Sequence, residues 1–139
     1  MRDLNQLLFK FDKKKNFNND DFYVSKSNEH ILNLFNQWPK WEKNFLNISG
    51  EKFSGKSHLV NIFLKRFKGF KIESDKLDDK TLNQIKTHQN IILENLDSNI
   101  NENLFYSLIN IIEQDNKYLI TTSNASIVNI NFGLLDLKS

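Results

Sequence analysis

Residues 50–57 read Gly50-Glu51-Lys52-Phe53-Ser54-Gly55-Lys56-Ser57, a full match to the pattern G-x-x-x-x-G-K-[ST]. The chain holds only four glycines in 139 residues, and two of them stand in this loop. A loop that wraps a phosphate turns its backbone N–H groups inward, and a side chain at the turn would block the approach. Glycine removes the block and permits dihedrals that other residues avoid. The flanks suit this reading. Residues 44–49 form a short strand candidate running straight into the loop, and residues 56–67 carry Leu59, Val60, Phe63, Leu64 and Phe67 on one helical face. A helix starting near Lys56 adds its free N–H groups and the positive end of its dipole. In this role Lys56 reaches the β- and γ-phosphates of a nucleotide and the Ser57 hydroxyl ligates Mg2+. The candidate nucleotide site thus comprises Gly50, Glu51, Lys52, Phe53, Ser54, Gly55, Lys56, Ser57 and His58. The His58 imidazole is expected to face along the helix without chemistry of its own.

Such a loop needs a second anchor, an acid at the end of a neighbouring buried strand that holds Mg2+ through water. Ile91-Ile92-Leu93 is a continuous apolar run of the kind a buried parallel strand shows, and Glu94 follows it directly. The next residue is Asn95, which cannot accept a proton from an attacking water. The pattern therefore predicts nucleotide binding with at most weak ATPase activity, unless Asp97 substitutes. A third strand candidate, Tyr118–Thr122, ends in Ser123-Asn124. Polar side chains at the carboxyl end of a parallel strand point into the ligand crevice. Two readings stand for Thr122 and Asn124: a sensor of water or γ-phosphate, or a turn built from Ser-Asn.

The remaining pattern completes an alternation. Ile31, Leu32, Leu34 and Phe35 have helical spacing over residues 28–37, and Pro39 stops that helix. Phe70–Ile72 is a further strand candidate, residues 78–88 a polar helix, and residues 102–114 an amphipathic one. Strands alternating with helices across short loops predict an α/β fold with a doubly wound parallel sheet. Residues 1–20 read as a tail and residues 21–139 as one core. The tail holds an apolar patch (Leu7, Leu8, Phe9, Phe11) set off by the polar stretch around Lys13, Lys14 and Lys15.

Composition narrows the classes. Hydrophobic residues make up 39% and charged residues 26%, as in a soluble globular domain. There is no cysteine, which excludes disulfides and thiolate metal sites. His30 and His88 are isolated, with no metal-ligand spacing between them. No apolar run approaches the roughly 20 residues that span a bilayer, and no signal peptide is visible, so a cytoplasmic location without membrane contact is expected. The net charge of +2 is too small to predict strong direct nucleic-acid binding.

Taken together, these stretches resemble the AAA+ ATPases related to the bacterial replication initiator DnaA, and among them the short regulators of the Hda type. The resemblance runs from about residue 6 to the end of the chain. It includes Gln6-Leu7, Asp21-Phe22-Tyr23-Val24-Ser25 with Asn28, Trp38-Pro39-Lys40-Trp41, the P-loop, Ile91–Asp97, Leu104–Asn110, Leu119–Asn124 and Leu135–Ser139. It implies a P-loop AAA+ core with sheet order 5-1-4-3-2, and adenine and ribose contacts near Phe22, Tyr23 and Asn28. It implies ADP or ATP with Mg2+ as cofactors, and the replication sliding clamp and DnaA as partners. Regulators of this type bind the clamp through an N-terminal Gln-Leu peptide and promote hydrolysis of DnaA-bound ATP. This chain has Glu94 where DnaA has Asp, and Asn95 in place of the second acid. It also stops at Ser139, where the resemblance leads one to expect an arginine that acts on a neighbour's ATP, then the last core strand and a helical lid. The core is thus expected to be incomplete at its C-terminus, and an oligomeric form stays open.

Gln6-Leu7-Leu8-Phe9-Lys10-Phe11 suits a clamp ligand, with Gln6 at a pocket edge and Leu7, Phe9 and Phe11 filling apolar pockets. A strand packed on the core is the other reading of the same six residues. Two other functions are weaker: a DnaA-like initiator or loader core acting on DNA lacks a basic stripe, and a metabolic P-loop kinase lacks an acceptor-substrate cluster.

Overall fold

The computed structural model describes residues 21–40, 44–51 and 55–125. Five strands alternate with four helices: β1 (Asp21–Tyr23), α1 (Val24–Gln37), β2 (Phe45–Ser49), α2 (Lys56–Arg66), β3 (Phe70–Glu73), α3 (Asp79–Ile85), β4 (Asn90–Leu96), α4 (Glu102–Gln114) and β5 (Tyr118–Ser123). All pair in parallel in one sheet of order β1-β2-β5-β4-β3. The strands β2-β5-β4-β3 reproduce the 1-4-3-2 part of the expected order. The place beside the P-loop strand, where the resemblance puts the last core strand, is taken by β1, with Phe22 opposite Ile48. Sequence reading did not assign this strand. It is three residues long and runs into α1 without a loop, too short to show a period of its own.

The runs of apolar residues are continuous because the sheet is covered on both faces. Along β2, Phe45 points to one side and Leu46 and Ile48 to the other. Phe45, Ile91, Leu93 and Leu119 pack against Leu82 and Ile85 of α3 and Phe105, Leu108, Ile109 and Ile112 of α4. Leu46, Ile48, Ile92 and Ile120 pack against Ile31 and Phe35 of α1 and Leu59, Val60 and Phe63 of α2. The helices thus sit in two layers, two on each face. On the second face the aromatic rings cluster: Phe63 lies 5.1 Å from Phe35 and 5.1 Å from Phe67, and Trp38 lies 4.7 Å from Phe67 and 5.7 Å from Tyr118.

Local signals set the helix ends. Helix α1 stops at Gln37, two residues before Pro39. Helix α3 opens with a capping box, in which the Asp78 carboxylate accepts from Thr81 N at 2.8 Å and the Thr81 hydroxyl accepts from Asp78 N at 2.8 Å. The Asn101 side chain caps α4 by accepting from Leu104 N at 3.1 Å. Just beyond α3, the buried Lys117 ammonium donates to Lys86 O at 3.1 Å and His88 O at 2.7 Å. This satisfies carbonyls that the helix leaves open.

Phe63 has ring contacts with Phe35, Trp38 and Phe67 and is fully buried. Phe63→Ala should lower the unfolding free energy by about 3–5 kcal/mol, measured by urea denaturation, with the parallel sheet retained in the far-UV spectrum.

Candidate functional site

The site lies at the carboxyl ends of β2, β4 and β5, where open α/β sheets bind ligands. Strand β2 ends at Ser49, and Gly50 N donates to Ser123 O at 3.0 Å, tying the start of the loop to the end of β5. Gly55 stands just before α2 with φ of +104°. Nothing lies within 4 Å of where its Cβ would be, so the backbone conformation and not space demands glycine here. Among the described residues no side chain caps the start of α2. Its first N–H groups are therefore not taken up by a capping side chain, as an anion-binding helix terminus requires.

Lys56 is buried, and its ammonium spends three donors on Gly50 O, Glu51 O at 3.0 Å and Asn124 Oδ1 at 3.1 Å. Burial pulls its pKa below the usual lysine value. The Asn124 side chain therefore meets the P-loop lysine. Thr122 does not face the loop in the same way. Its hydroxyl is buried and accepts from Asn95 N at 3.0 Å, across the β4–β5 pairing. Of the two residues read as sensor candidates, one contacts the lysine and the other supports the end of β4.

Glu94 lies on the same face of β4 as Ile92, the face that packs on α2. It is buried, and the Ser57 hydroxyl is among the groups close enough to act on its carboxylate. The loop serine and the strand acid, 37 positions apart by residue number, are thus brought together. The Glu94 pKa is raised above the ordinary carboxylate value, first by burial and then by the like charge and hydrogen bond of Glu73. Lys71, whose ammonium lies 3.8 Å from the Glu94 carboxylate, and the Ser57 hydroxyl oppose the rise. Sequence reading missed Lys71 and Glu73. Their signal is the strand register: Glu73 stands opposite Glu94, and Lys71 opposite Ile92, which becomes visible only once β3 and β4 are known to be neighbours.

After Glu94 the strand is irregular. The β4–β5 register shifts between Leu93 and Leu96, and Asn95 adopts φ of +59°. Asparagine tolerates this left-handed conformation better than most residues. Its side-chain amide donates to Glu73 Oε1 at 2.6 Å, and its carbonyl accepts from the Ser74 hydroxyl at 2.7 Å. Asp97, the alternative acid, accepts from Asn99 N at 2.9 Å and lines a cavity of about 240 Å³ with Glu73, Asp75 and Asn95.

Of the remaining candidates, Glu51 and His58 are exposed at the loop and on α2. The backbones of Phe22 and Tyr23 lie in β1 and that of Asn28 in α1. Lys52, Phe53 and Ser54, and the tail residues Gln6, Leu7, Phe9 and Phe11, lie outside the described residues. Among the described residues no group of three or more His, Asp or Glu could by itself hold a metal ion. Ser57 and Glu94 fit the sparser donor set that Mg2+ uses when phosphates and waters complete its shell. No helix among the described residues is long and apolar enough to cross a membrane.

A carboxyl whose pKa is raised by folding binds its proton more tightly in the native state. Its contribution to stability is full below the unfolded value of 4.5 and is lost as pH rises through the raised native value. Glu94→Gln, neutral throughout, should therefore stabilise the metal-free protein against urea at pH 7. That gain should vanish below pH 4.5.

No protein-family model and no curated protein matches the chain. Among solved structures, its fold is similar to that of a proposed primosome component from Streptococcus pyogenes serotype M3, at 17% identity and TM-score 0.60 over 76% of this chain. It is also similar to a DNA replication initiation factor, at 15% identity and TM-score 0.61 over 81% of this chain. The chain spans 65% and 42% of the lengths of those two proteins. At these identities the likeness is one of fold: a parallel α/β sheet flanked by helices.

Proposed function

We propose that this chain is a nucleotide-binding AAA+ regulator of bacterial DNA replication initiation. In this reading it holds ADP or ATP with Mg2+, binds the replication sliding clamp through Gln6, Leu7, Phe9 and Phe11, and promotes inactivation of ATP-bound DnaA. One observation carries the nucleotide part: Lys56, Ser57, Glu94 and Asn124 converge at the carboxyl end of the sheet, beside an uncapped helix terminus. The clamp and DnaA parts rest on the Gln-Leu peptide, on the resemblance to Hda-type regulators and on the fold likeness to a replication initiation factor.

Each residue would act in a defined way. Backbone N–H groups of the loop and of the first turn of α2 would hold the phosphates, with the helix dipole adding attraction. The Lys56 ammonium would exchange at least one of its carbonyl or amide partners for a phosphate oxygen. Asn124, already hydrogen-bonded to that ammonium, would register the exchange at the end of β5. Ser57 would ligate Mg2+ directly, and Glu94 would hold it through water. Asn95 has no proton-accepting group to activate a water, which suits a nucleotide-gated binder better than a fast ATPase.

Binding of a fluorescent ADP analogue should weaken about 10- to 100-fold in Lys56→Ala, the loss of a charge-assisted contact. Normal affinity in a folded variant would remove the nucleotide site. The partner claim has its own test in surface-plasmon measurements on immobilised sliding clamp. Micromolar binding by the wild type and its loss in Gln6→Ala/Leu7→Ala is the expected result, and a wild type that does not bind would remove the clamp from this reading.

A further inference from the structure

Strand β3 lies at one end of the strand order, and burial alternates along Phe70-Lys71-Ile72-Glu73. Phe70 and Ile72 pack with the core under α3 and α4. Lys71 and Glu73 therefore stand on the opposite face, to which Glu94 also belongs. In the β3–β4 pairing Lys71 is opposite Ile92, two residues before Glu94. The two long side chains close that offset, and the Lys71 ammonium lies 3.8 Å from Glu94 Oε1. The partners are unequal: the Glu94 side chain is 9% exposed and that of Lys71 is 42% exposed. Lys71 differs in the same way from Lys56, which is buried and spends its donors on three acceptors around the loop.

We infer that Lys71 sets the Mg2+ demand of the nucleotide site: its ammonium and the metal share the Glu94 carboxylate, so the lysine yields its place when Mg2+ is held there. This inference rests on the nucleotide-site reading above and extends it to a strand that reading does not use. The physical case is one of competition between cations. A buried carboxylate offers few open directions of approach, and two cations brought beside it repel each other. At 3.8 Å the ammonium is within ion-pair range and beyond direct hydrogen-bond range. The attraction is therefore Coulombic and has no fixed geometry. A flexible four-carbon stem lets the ammonium swing back into water at small cost, because much of its solvation is already in place. Glu94 has no such freedom, since its side chain is enclosed at the strand end. The pair thus gives the buried acid a counter-ion that can be displaced. The same counter-ion weakens the hold of Glu94 on a second cation. One lysine, fixed at the loop, meets the phosphates, and the other, exposed at the sheet edge, tunes the metal.

The test is a titration of the full chain with mant-ADP at increasing Mg2+, starting from EDTA. The quantity read is the Mg2+ concentration at which the gain in nucleotide affinity is half complete. Lys71→Met keeps an unbranched stem and loses the charge. In this variant that concentration should fall about 3- to 10-fold, the scale of a partly exposed charge pair. Lys71→Arg keeps the charge and should stay close to the wild type. Lys80→Met removes an equal charge from α3, on the other face of the sheet, and should also stay close to it. A lysine that served only the fold would move the urea midpoint without moving the Mg2+ concentration. An unchanged or raised Mg2+ requirement in Lys71→Met overturns the inference and leaves the nucleotide site standing. An equal fall in Lys80→Met marks a general charge effect and overturns it as well. So does a wild type whose affinity does not respond to Mg2+. A wild type that binds no nucleotide removes the site itself, and the inference with it.

Discussion

A single buried cation organises the functional end of this protein. The Lys56 ammonium sits at the first position of α2, yet its partners lie at the end of β2 and just beyond β5. An ammonium taken out of water must find acceptors for its three hydrogens, or burial becomes costly. Two backbone carbonyls and one amide oxygen meet that demand. In doing so they pull together the loop, the helix terminus and the strand next door. Gly50 N bonding to Ser123 O closes the same seam from the backbone side. A phosphate reaching this lysine must compete with groups that already define the geometry, so ligand contact and strand position are linked through one atom.

The opposite charge is treated differently. Glu94 is also buried, but it stands among a like charge, an opposite charge and a hydroxyl. Burial and Glu73 favour its protonated form, while Lys71 and Ser57 favour its ionised form. A divalent cation near Ser57 would shift that balance decisively toward the carboxylate. Lysine and glutamate thus face the same crevice with opposite needs. The lysine is satisfied by the protein alone, whereas the glutamate is left with a desolvation cost that a cation would relieve.

The sheet supplies the frame for both. Strands β2, β4 and β5 are covered on two faces, so each contributes apolar side chains up and down along its length. Polar residues are tolerated at the carboxyl ends, where the layers of helices part. The slot beside β2 is filled by a strand of three residues that precedes α1. Its pairing with β2 gives the P-loop strand a neighbour on each side, β1 and β5, and so holds the loop's entry in place.

Much of this was legible in the residues alone. The P-loop pattern, the apolar run before Glu94 and the helical spacing of Leu59, Val60 and Phe63 each belong to one contiguous segment, where periodicity and turn chemistry act over a few residues. These determined the parallel α/β class and the loop at its centre. The strand at Asp21–Tyr23 was not legible, because three residues have no period and their hydrogen bonds depend on a partner elsewhere. The pairing of Asn124 with Lys56 and of Asn95 with Glu73 was hidden for the same reason. These side chains are 68 and 22 positions apart, and a hydrogen bond acts over about 3 Å. Only the tertiary structure, by setting β3 beside β4 and β5 beside β2, brings them within that range.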